Sequence, residues 1–163
     1  MDARLAALYA RADQFFDAAV RAAPAAFACR AGCDACCRAD LTVWGVEAAS
    51  LREAFGGLAA STRASVVDRA RRGLTCVFRD PDAGTCDVYA ARPLICRTHG
   101  LAVLADGRLD ACPLNYRQVE PERAHVLDLE RVNQPLALVN RLTGYDASRV
   151  SLRGLVLGEV TDG

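Results

Sequence analysis

Cysteines stand at positions 29, 33, 36, 37, 76, 86, 96 and 112 of a 163-residue chain. Thiolates are soft ligands for zinc and for iron–sulfur clusters, and they are also nucleophiles. The first group, Cys29, Cys33, Cys36 and Cys37, reads Cys-x3-Cys-x2-Cys-Cys. On a helix these four would fall within about 100° of one face. On a loop, Gly32 would let the backbone fold tightly enough for the sulfurs to converge. Either way, crowded thiolates repel one another and are costly to bury, so a cation or cluster is their natural partner. The adjacent pair Cys36–Cys37 diverges by about 100° on a helix, which suits two neighbouring sites better than one tetrahedral ion. Cys76, Cys86, Cys96 and Cys112 follow at intervals of ten, ten and sixteen residues. All eight are expected metal ligands; they divide naturally into two four-cysteine sites, and the spacing leaves that division open.

The elements around them must hold them together. Asp2 is a candidate N-cap for an amphipathic helix over 1–23, with Leu5, Leu8, Ala12, Phe15, Phe16 and Ala19 at helical spacing and Pro24 as its stop. Residues 45–72 read as a helix pair, Val46–Phe55 and Leu58–Arg72, broken at Gly56-Gly57. Two strand-like runs, 74–78 and 85–89, enclose a turn-rich loop at 79–84, where Asp80 and Asp82 shape the turn. Asp106-Gly107 predicts a hairpin between 101–104 and 108–111. From Glu120 the helical period returns through His125, Leu127, Leu129, Leu136, Leu138 and Val139, with Pro135 kinking or restarting the helix. Residues 151–163 are too short and mixed to assign.

The expectation is a mainly helical α+β fold, a single small domain over 1–163. Helices at 1–23 and 120–143 flank a cysteine-rich region, 29–112, whose short β-hairpins the metal organises.

Composition removes several function classes. Twenty basic residues balance 20 acidic ones, and the pI is near 6.7, so a polyanion partner such as nucleic acid or an acidic membrane is not expected. Every basic residue is Arg, which excludes Schiff-base, lysine-nucleophile and P-loop chemistry. The first residues carry charges every few positions, unlike a signal peptide, and no apolar run reaches the length of a membrane span. A cytoplasmic, reducing compartment is therefore expected, where thiols persist and disulfides are rare. Cys33-Asp-Ala-Cys36 lacks the βαβ context of a thioredoxin-like redox pair. His125 sits in a helical pattern and reads as structural, and Trp44 and Phe55 read as core.

Zinc ribbons present two short Cys-x2-4-Cys units, and this chain has one. Iron–sulfur sites tolerate irregular spacing and often place Pro after a ligand, as in Cys112-Pro113. Iron–sulfur is therefore favoured narrowly over zinc. Four thiolates leave about two negative charges around either centre, which Arg30, Arg38, Arg92 and Arg97 stand close enough in sequence to offset. His99, three residues past Cys96, is a candidate ligand or donor to a ligand. Arg92, Arg97 and His99 are thus the expected contacts to the cofactor beyond the thiols.

The stretch Cys29-x3-Cys33-x2-Cys36-Cys37, Cys76-Val-Phe, Cys86-Asp-Val-Tyr89, Arg92-Pro93 and Cys96-Arg97 resembles the YkgJ-type cysteine-cluster family over about residues 29–112. The resemblance implies zinc or iron chelation, or an iron–sulfur cluster, and no settled biochemical role. The implied function is a metal-binding accessory, carrier or electron-transfer module, with a protein partner allowed. The alternative is a structural zinc module for protein contacts. Cys29-x3-Cys33-x2-Cys36 also matches the spacing of radical S-adenosylmethionine enzymes, and flagellin lysine methylases carry a similar cluster. Against an enzyme stand the missing barrel alternation, Ala35 where those enzymes carry an aromatic residue, and the absence of a glycine-rich cofactor loop after a strand.

Overall fold

Asp2 caps the first helix as its residue type predicts, its carboxylate accepting from the amides of Arg4 and Leu5 at 2.8 and 3.3 Å. This computed structural model describes residues 1–30, 32–38, 41–73 and 76–159. Helix α1 (Ala3–Ala22) buries Leu5, Leu8, Tyr9, Ala12 and Ala19 along one stripe. Strand β1 (Thr42–Trp44) leads into α2 (Gly45–Gly56) and then α3 (Ala60–Arg71). Short helix α4 (Leu94–Thr98) follows the cysteine turns. Strands β2 (Ala102–Ala105) and β3 (Arg108–Asp110) form the expected hairpin, with Asp106 and Gly107 both at positive φ, 49° and 74°. The chain then runs through β4 (Val126–Asp128), α5 (Glu130–Leu142), β5 (Arg149–Ser151) and α6 (Leu152–Leu157). The result is a mainly helical α+β domain with a two-stranded sheet, β1–β5, and a three-stranded sheet ordered β3–β2–β4.

Three expectations need correction. The described parts of the two runs, 76–78 and 85–89, are not strands: among the described residues one antiparallel bridge, Arg79 to Cys86, joins two turns. Short-range turn bonds, Arg79 N–H to the Cys76 carbonyl and Tyr89 N–H to the Cys86 carbonyl, take the groups a ladder would use. Residues 120–129 are not an α-helix either; their only helical piece among the described residues is a single 3-10 turn, Arg123–His125. Pro121 lacks an amide donor, and Val126–Asp128 pairs in parallel with Ala102–Leu104, so Leu127 is buried from a strand. The helix proper begins at Glu130 and runs unbroken through Pro135, in its second turn. Within 151–163, which carried no assignment, Ser151 caps α6 by accepting from Gly154 N–H at 2.9 Å. Leu74 and Thr75 of the first run, and residues 160–163, lie outside the described residues.

Packing divides into three clusters. The largest joins β1, α2, α3 and α6 around Val43, Leu51, Val66, Val77, Phe78 and Leu152, and Cys76 and Cys86 rest against it. A second packs α1, α4 and α5 through Leu5, Leu8, Tyr9, Leu94 and Leu136. The third gathers Ala19, Leu101 and Leu127 with Phe16 and Phe27. Glu47, 2% exposed, ties the first two clusters together. Its carboxylate accepts from Tyr9 Oη–H at 3.2 Å, Trp44 N–H at 3.3 Å and Leu94 N–H at 2.8 Å. Three donors satisfy a buried anion and set where α4, the helix carrying Cys96, begins.

Candidate metal centre

The cysteine segment after α1 is a loop, the second of its two possible forms. Phe27 anchors its start, its ring 5.6 Å from Phe16 and 5.1 Å from Tyr116. Gly32 takes φ +83°, the left-handed conformation that its missing β-carbon permits, and Cys33 N–H closes a turn on the Arg30 carbonyl at 2.9 Å. A short 3-10 turn, Ala35–Arg38, then presents Cys36 and Cys37. Asp34 pairs with Arg79, which fastens this loop to the Cys76–Cys86 turn. Ala31, Ala39 and Asp40 lie outside the described residues.

All eight cysteines are free thiols; Cys29 is exposed and the others are half-buried. Cys29 is within electrostatic reach of Cys33, Cys36 and Cys112. Cys96 is within reach of Cys36, Cys76 and Cys86. Cys37 donates its S–H toward Cys36 and Cys76, so those two thiols ionise more readily than usual and Cys37 less readily. The fold has thus gathered residues up to 83 positions apart in sequence into one neighbourhood. They are gathered but not caged: among the described residues, no three Cys, His, Asp or Glu side chains form a ready-made ion site. The sulfurs must close together to hold one.

Polar groups around the sulfurs suit thiolates. The amides of Phe78 and Arg79 point at Cys76 Sγ, and the amide of Val88 points at Cys86 Sγ. Such N–H donors stabilise a charged sulfur. Burial acts the other way, pushing Cys86 up to about 11 and Cys96 up to about 12. A bound cation reverses that penalty, because a coordinating thiol is deprotonated outright. Arg92 stacks over Tyr89 at 3.7 Å, and its positive charge favours ionisation of Cys36, Cys86 and Cys96. Its Nε is buried and, among the described residues, has no acceptor. A buried cationic donor without an acceptor is costly. The donor set therefore fits a sulfur-ligated, anionic centre.

The other expected contacts fall out differently. His99 is exposed and lies within electrostatic reach of Cys36, at the rim of the thiol group. Arg97 is buried but turned away. Its guanidinium donates to Asp13 at 2.5 Å, the Ala90 carbonyl at 2.5 Å and the Arg92 carbonyl at 2.8 Å, and it stacks over Tyr9. It holds the turn before Cys96 to α1 rather than meeting the sulfurs. Arg30 and Arg38 are exposed. Sequence reasoning missed Asp34, Gly100 and Asn115, which touch or tie the cysteine segments: Asp34 through Arg79, Gly100 and Asn115 through contact with Cys29 Sγ. The one local signal for Asn115 is its place in the Cys-Pro-x-Asn turn, where Asn is favoured.

Clustered thiols, amides aimed at sulfur and a half-buried arginine with a buried Nε–H are the features of a cysteine-rich metal-chelating domain. The chain belongs to the CxxCxxCC family, described as a putative zinc- or iron-chelating domain, whose model matches residues 28–122, more than half of the chain. No curated protein and no solved structure matches the chain. Among the described residues, no helix is long and apolar enough to cross a membrane.

Proposed function

We propose that this protein holds iron as an iron–sulfur cluster and serves as an accessory, carrier or electron-transfer module in a reducing, cytoplasmic setting. Arg92 carries the reading. Its Nε–H is buried with no acceptor among the described residues, and its charge lies within electrostatic reach of Cys36, Cys86 and Cys96, so an acceptor-rich centre among those thiols would suit it. Bridging sulfides supply such acceptors in addition to the thiolates, whereas a zinc tetrathiolate offers only its ligands. The proposed ligands are drawn from Cys29, Cys33, Cys36, Cys37, Cys76, Cys86, Cys96 and Cys112. Arg92 donates to the centre, His99 stands at its solvent edge, and Arg97 secures the turn that carries Cys96. The cluster, when bound, supplies one-electron chemistry; the chain's own residues hold, charge-balance and partly shield it.

Protein purified without oxygen is expected to contain iron with matching acid-labile sulfide and a broad visible absorption band. Cys33→Ser and Cys96→Ser should each lose metal and colour. A colourless chain with stoichiometric zinc overturns the iron–sulfur reading in favour of a structural zinc module, since zinc is d¹⁰ and silent. A Cys33→Ser, Cys96→Ser double variant that keeps its metal and its melting temperature overturns chelation by these thiols altogether.

A further inference from the structure

Asn115 is 5% exposed and sits in the turn after Cys112, its own amide donating to the Cys112 carbonyl at 2.8 Å. Its side chain makes three hydrogen bonds, all to the cysteine segments. Oδ1 accepts from Ala28 N–H at 2.8 Å, and Nδ2 donates to the Gly100 carbonyl at 2.7 Å and to Cys29 Sγ at 3.3 Å. One carboxamide thereby joins the entry to the first cysteine group, the turn after Cys96 and the turn after Cys112. Gly100 completes the arrangement from the far side. At φ +103°, a β-carbon there would lie 2.8 Å from Cys29 Sγ and 3.2 Å from Asn115 Nδ2, so sulfur and carboxamide occupy that space.

We propose that Asn115 is a positioning residue for the metal centre, aiming Cys29 and supporting its thiolate through the N–H···S hydrogen bond. This rests on the reading of the thiols as metal ligands. A purely structural tie would need only the bonds to Ala28 and Gly100. The third bond, to sulfur, acts on the ligand itself: a donor to a ligating atom fixes its orientation and stabilises its charge.

Cobalt(II) is the probe, because its sulfur-to-metal charge-transfer band reports thiolate ligation directly. Full-length wild type, Asn115→Asp, Cys29→Ser and the double variant are titrated with cobalt, and folding of each apoprotein is checked by thermal melting. Asn115→Asp keeps the acceptor for Ala28 and replaces the donor to Cys29 Sγ and to the Gly100 carbonyl with an oxygen, the loss at Gly100 being common to both backgrounds. Its cobalt affinity is expected to fall about 10- to 100-fold, with a weaker charge-transfer band. In the Cys29→Ser background the same change should cost almost nothing, because the sulfur it acts through is gone. An unchanged affinity and band in Asn115→Asp, or an equal loss in both backgrounds, overturns the proposal. Wild type loaded with an NMR-active cadmium isotope gives a test that needs no variant. A scalar coupling from an Asn115 side-chain amide proton to the metal is expected, and its absence in a loaded chain overturns the role. A wild-type chain that takes up neither metal through sulfur overturns the chelation reading itself, a result distinct from either failure of Asn115.

Discussion

Cys76, Cys86 and Cys96 stand on packed structure: the first two rest on the Val77–Phe78 core, and the third is carried by α4, whose start Glu47 sets. Cys29, Cys33, Cys36 and Cys37 stand on a loop held by point contacts, namely Phe27, the Asp34–Arg79 pair and the Asn115 carboxamide. Two Arg–Asp ion pairs mark the contrast. Arg69–Asp87 lies within the packed side, its side chains 8% and 13% exposed, and Arg69 Nε also donates to the Val77 carbonyl at 2.8 Å. Arg79–Asp34 bridges the two sides, with side chains 26% and 18% exposed. The packed thiols thus form a wall set by the core, and the loop thiols form a flap held by fewer contacts, which in the proposed metal centre would close on the metal. Binding energy taken up in ordering the flap lowers affinity, while the wall makes the site specific to this geometry.

The largest blow to the wall is Phe78→Ala. Phe78 is 2% exposed and meets Phe55 edge-on at 6.2 Å, so truncation is expected to cost about 3–5 kcal/mol, read as a lower denaturant midpoint of the metal-free protein. Arg69→Met strands Asp87 in a largely buried place and should cost about 3 kcal/mol in the same measurement. Arg79→Gln sharpens the contrast, since it cuts the tie between flap and wall where solvent screens the charges. Metal-free stability should fall by less than about 1 kcal/mol, while metal affinity in a competition titration falls roughly tenfold or more. Equal effects of Arg69→Met and Arg79→Gln on stability would erase the distinction between the two regions.

The smallest effect is a pH dependence at Glu47, which holds α4. Burial raises its carboxyl above the ordinary value of 4.5, against the hydrogen bonds from Leu94, Trp44 and Tyr9 that favour the anion. Folding therefore favours the protonated form. That contribution is complete below the unfolded-chain value and is lost as pH rises through the higher folded-state value. Over the range upward from pH 4.5, wild-type stability should decline relative to Glu47→Gln, as read from urea midpoints at successive pH values. Parallel pH profiles for the two chains would remove Glu47 from this role.

Much of the scaffold was legible in residue order because its signals are local. Asp2 before an amphipathic stripe, the Gly56-Gly57 break and Asp106-Gly107 each act within a few residues, and each appears where expected. The 120–129 segment was misread for the opposite reason. Leu127 and Leu129 carry a spacing compatible with a helix, and the choice went to pairing with β2, a partner some 24 residues earlier that periodicity does not reveal. The turns at 76–89 show the same limit: alternating residues suggest strands, but the amides are used in tight turns, some of them directed at sulfur.

For the site, cysteine type and spacing alone determined membership in a metal-chelating family and the candidate ligands, because thiols are chemically specific wherever they stand. Which of them meet, and what surrounds them, only the tertiary structure decided. Arg92 and Arg97 are alike in sequence, five residues apart near candidate ligand positions, yet among the described residues one keeps a buried Nε–H without an acceptor and the other is consumed by Asp13 and two carbonyls. Asn115 and Asp34 acquire their roles from residues 86 and 45 positions away. A side chain's chemistry is a property of its residue type, but its partners are set by how the chain closes on itself, and long-range closure leaves no local trace in the sequence.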